Sequence, residues 1–131
     1  MVFGLPLFPG LQLFGRSRKI EELCDALRAS GIHPNIVPDA ILITIIKLLK
    51  KHYGNDINPS LTSTASFFAY LLIGRESLDY SSENSSIANL ENRLTTALND
   101  SKGLDYELLA LTYHSGLINP LVRKEFKISV K

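Results

Sequence analysis

Cysteine and histidine are the side chains best suited to nucleophilic or metal chemistry near neutral pH, and this chain holds one cysteine and three histidines. They are Cys24, His33, His52 and His114. A thiolate–imidazole pair would need Cys24 in a polar, accessible setting. Instead Cys24 repeats with Ile20, Leu23 and Leu27 at helical spacing, which places it on an apolar stripe where a free thiol packs as a small hydrophobe. A structural zinc site needs ligands at short, recurring spacings, but these four residues are scattered singly and no two histidines fall four apart. No metal is expected. His52 and His114 each fall near the end of an expected helix, where the dipole suits a cation and histidine needs no catalytic explanation, while His33 precedes Pro34 in a turn.

The acidic pairs Glu21–Glu22 and Asp79 with Glu83 would support acid–base work only inside a cleft, and solvated faces are their ordinary use. Neither the phosphate-binding loop nor the dinucleotide fingerprint occurs, and the glycines read as helix stops. Ser63 and Ser66 lack the turn that activates a hydrolase serine. No residue is assigned a catalytic role and no cofactor is expected, so the reading leans away from an enzyme.

One juxtaposition is harder to attribute to folding alone. Phe3, Phe8 and Phe14 stand with four leucines in an N-terminal stretch broken by Gly4, Pro6, Pro9, Gly10 and Gly15, and the cations Arg16, Arg18 and Lys19 follow directly. Cations oppose the dipole at a helix start, so helix geometry does not explain them. An apolar finger followed by positive charge is the combination used by segments that dock on membrane surfaces. It also suits an arm folded back over its own core. A further set, Tyr70, Tyr106, Tyr113 and His114, could supply polar groups to a ligand pocket between helices.

These residues must be positioned by helices. Ser17 caps a first helix over 18–30, which Gly31 stops. A second opens at Pro38 and closes on Lys47, Lys50, Lys51 and His52 before Gly54. Its Ile41, Leu42, Ile43, Ile45, Ile46, Leu48 and Leu49 cover nearly the whole circumference, which predicts a helix surrounded on most sides. Asn58 and Pro59 begin a third, with Leu61, Ala65, Phe68 and Leu72 on one face and Gly74 at its end. The polar run over 79–86 reads as a surface loop. A fourth helix over 83–100 carries the cleanest stripe, Ile87, Leu90, Leu94, Ala97 and Leu98. A fifth spans 105–115 with Gly116 after it, Pro120 opens a short turn through Phe126, and the last residues alternate like a strand too short to form one.

The expected fold is therefore all-α: a compact array of about five helices in one domain over 16–131, preceded by an irregular apolar arm over 1–15. The 131 residues suffice for one core without a staple. A net charge of +1, from 14 basic and 13 acidic residues, argues against the broad positive field of non-specific nucleic-acid binding. The lone cysteine and the absence of a secretory pattern or spanning stretch lead to an expected cytoplasmic location. The leading functional expectation is a non-enzymatic, self-associating protein–protein interaction module, its partner a protein chain or itself as a homo-oligomer. The alternatives are a peripheral membrane protein contacting lipid through the arm, and a small ligand-binding protein or enzyme with a pocket between helices.

Overall fold

The structure is a computed structural model and describes residues 17–74 and 84–130, with side chains described from residue 87 onward in the second stretch. The N-terminal arm and Arg16 lie outside the described residues, as does most of the expected serine-rich loop. The regular elements among the described residues are all helices: α1 Arg18–Ala29, α2 Asp39–Tyr53, α3 Asn58–Ile73, α4 Asn84–Asp100, α5 Leu104–Ser115 and α6 Pro120–Glu125. A 3-10 turn, Pro34–Ile36, leads into α2.

The boundaries follow from local chemistry. Ser17 Oγ accepts the Ile20 N–H at 3.3 Å and so satisfies one of the orphan donors at the start of α1. Asn119 does the same for α6, its Oδ1 accepting from Leu121 N at 2.8 Å and from Val122 N at 3.3 Å, with Pro120 supplying a preset φ. At the end of α5, Gly116 takes the left-handed conformation at φ 79°, and the N–H of Leu117 turns back to the Thr112 carbonyl at 3.0 Å. Gly74 ends α3 at φ 74°, and a Cβ there would lie 3.5 Å from Val122. Beside it the Asn119 N–H donates to the Leu71 carbonyl at 2.8 Å, which fastens the entrance of α6 to the last turn of α3.

The surrounded helix is α3. It contacts α1, α4 and α5, whereas α2 contacts α1 and α5. Phe67, Phe68, Ala69, Tyr70 and Leu71 are all fully buried, and five consecutive residues exceed the 3.6 of one turn, so protein covers the whole circumference there. This corrects the expectation that the second helix would be encircled. α2 buries Leu42, Ile45, Ile46 and Leu49 along one side and leaves Ala40, Ile43, Lys47 and Lys50 in water. The charges explain the outcome. α2 carries Asp39, Lys47, Lys50 and Lys51, which need solvent or a partner, while no charged residue occurs in α3.

The expected C-terminal turn is a full short helix, α6, and the residues after it pack without forming a strand. Ile128 and Val130 are buried while Lys127 and Ser129 are exposed, so their alternation reflects an extended segment lying on the core. No helix among the described residues is long and apolar enough to cross a membrane.

Candidate interaction surface

The surface carries two polar clusters and, on α2, an exposed isoleucine. The first cluster centres on Arg93, which α4 carries three residues after Leu90 and four before Ala97, on the edge of its buried face. Its guanidinium grips Asp105 through two parallel bonds, Nε to Oδ2 at 3.0 Å and Nη2 to Oδ1 at 2.8 Å. Nη1 donates to both the carbonyl and the hydroxyl of Ser63 at 3.0 Å. The guanidinium carbon lies 4.6 Å from the centre of the Phe67 ring, within cation–π range. One side chain thus ties α3, α4 and α5 together. The neighbouring depression, about 400 Å³, is lined by Tyr53, Ser63, Thr96, Lys102 and Asp105 among others. Arg93 is already engaged by its own chain, so it has little capacity left for a ligand.

The second cluster joins the end of α2 to the first turn of α5. Glu107 accepts from Lys51 Nζ at 2.6 Å with one carboxylate oxygen and meets His52 Nε2 with the other. The hydrogen bond from Lys51 is the main cause holding the Glu107 carboxyl below the usual carboxylate range; partial burial works against it, and the contact with His52 adds to it. An imidazole beside a carboxylate resembles a general base. Yet neither His52 nor Glu107 lines the adjoining depression, and Lys51 occupies the second carboxylate oxygen. The arrangement acts as a latch between two helices.

Ile43 lies on the outward side of α2. Ile43 is 42% exposed and Ile36, on the turn before the helix, is 53% exposed. On a helical projection Ile43 and Lys47 stand at the centre of the solvent face, flanked by Asp39 and Lys50 on one side and by Ala40 and Lys51 on the other. An exposed isoleucine is ordinary taken singly. Here it is centred on the water face of a helix whose opposite side is fully used by the core, so the fold gains little from it.

The residues singled out in the sequence fall in several places. Phe3, Phe8, Phe14 and Arg16 lie outside the described residues. Arg18 is exposed at the start of α1, and Lys19 reaches across to donate to the Asn55 carbonyl at 3.0 Å, which gives that cation a role in joining α1 to the end of the α2 segment. Tyr70 is fully buried in α3. Tyr106 and Tyr113 are partly buried against the core, and His114 is exposed in the last turn of α5. Tyr113 meets His114 edge to face at 5.5 Å, and Arg123 covers the Tyr113 ring at 5.0 Å. Cys24 is 3% exposed and borders a depression formed with Glu21, Asp25 and Arg28. Among the described residues no group of three His, Cys, Asp or Glu side chains could hold a metal ion.

Sequence reasoning missed Arg93, Asp105 and Glu107. The signal for Arg93 was present: a cation in register with the Leu90–Leu94–Ala97 stripe must either find an acceptor or break the stripe. Compared with known proteins, the chain matches no family model, no curated protein and no solved structure.

Proposed function

We propose that the chain is a non-enzymatic helical interaction module that binds a protein chain through the outward face of α2. The observation that carries this reading is Ile43, a large apolar side chain at the centre of a solvent face whose helix has already filled its share of the core with Leu42, Ile45, Ile46 and Leu49. Apolar surface rimmed by polar residues is a common form of docking site. Lys47, Lys50 and Asp39 supply that polar rim. The polar clusters are compatible with the same reading, because Arg93 and Glu107 are engaged in joining helices.

Site-specific photo-crosslinking in cells tests it. A photoreactive residue replacing Ile43 is expected to give adducts with a protein, whereas the same residue replacing exposed Thr95 on α4 is not. Equal yields at the two positions would remove the basis for the reading.

A further inference from the structure

The α2 face has a property beyond its exposed isoleucine: one pair of its charges, Asp39 and Lys47, is placed symmetrically about Ile43. Asp39 lies four residues before it and Lys47 four residues after it, and both are exposed. Four residues is close to one helical turn, so the three side chains form a row along one side of the helix. We infer that this row is self-complementary and that the partner on the α2 face is a second copy of the chain, packed antiparallel about a two-fold axis at Ile43. The inference rests on the reading of this face as an interaction surface and names its occupant.

In that arrangement the two Ile43 side chains meet at the axis. Lys47 of each copy falls beside Asp39 of the other, giving two equivalent ion pairs. A parallel pairing would set Lys47 against Lys47 and is disfavoured. A uniformly acidic partner helix would satisfy Lys47 and Lys50 but set like charge against Asp39. Asp39 also keeps an interaction within its own chain, and a carboxylate has lone pairs for a further donor. A single helix of 15 residues offers a small interface, at the low end of those that support specific association. Self-association through this helix alone is therefore expected to be weak.

A cysteine trap on the full chain tests the register. Helices packed with axes about 8–10 Å apart bring facing Cα atoms within disulfide reach, so Ile43→Cys is expected to form a covalent dimer under mild oxidation at least about tenfold faster than Ile36→Cys, which lies off the axis. Cys24 is buried and does not compete. In sedimentation velocity Lys47→Asp is expected to weaken self-association by about tenfold, since it turns two attractions into two repulsions. Adding Asp39→Lys in the same chain is expected to restore it, with helical circular dichroism confirming that every variant is folded. Trapping at Ile43 no faster than at Ile36, or a double swap as weak as the single one, would overturn the two-fold pairing. Adducts at position 43 of a mass other than twice the chain would likewise overturn it while leaving the interaction reading in place.

Discussion

At the scale of single residues, stability at the polar end of the bundle depends on two acceptors in the first turn of α5. Asp105 holds Arg93 and Glu107 holds Lys51 and His52, and both acidic residues stand where the positive end of the helix dipole favours them. Replacing Arg93 by alanine leaves the Asp105 carboxylate partly buried without its fork and removes two bonds to Ser63. The expected loss is about 1–3 kcal/mol by chemical denaturation, with Arg93→Lys recovering only part of it because a point charge cannot bridge both Asp105 oxygens and Ser63. Glu107 gives a pH signature. Its folded-state carboxyl titrates below its unfolded one, so its contribution is present above the ordinary carboxylate pKa and is lost as pH falls through the lowered value. Glu107→Gln is expected to flatten that part of the acid-side stability profile while leaving the rest unchanged; an identical profile in both proteins would mean that the latch contributes nothing.

At the scale of elements, the helix ends were legible because capping and stopping residues act locally. Ser17, Pro59, Gly74, Gly116 and Pro120 each work through the backbone of their own neighbours, and each marks an observed boundary. What surrounds each helix was harder to read, since the apolar content of α2 and α3 is similar and burial is decided by the whole assembly. The discriminating feature was charge: Asp39, Lys47 and Lys50 keep one side of α2 in water, and α3 has no charge to keep out. Arg93 and Asp105 were illegible as a pair because they lie on different helices, and no local rule connects them. Since α3 is the hub, Phe68→Ala is expected to cost about 3–5 kcal/mol and to lower cooperativity across the molecule, measured by the midpoint and slope of urea unfolding. A cost below about 1 kcal/mol would indicate that α3 is less enclosed than its burial implies.

At the scale of the whole molecule, the core is completed by α1, α3, α4, α5 and the inner side of α2, and the C-terminal segment closes it with Ile128 and Val130. Among the described residues the outer side of α2 is left over: its cations and Asp39 are exposed, and Ile43 lies among them outside the core cluster. On the proposed reading, this residue serves binding and not folding. The most direct measurement is therefore the folding stability of Ile43→Ser at low protein concentration, set beside Ile45→Ala on the inner side of the same helix. Ile43→Ser is expected to change stability by no more than about 0.5 kcal/mol, while Ile45→Ala loses about 2–5 kcal/mol. A loss at Ile43 as large as that at Ile45 would contradict the interaction reading, because it would show that the chain itself closes over this face when it folds.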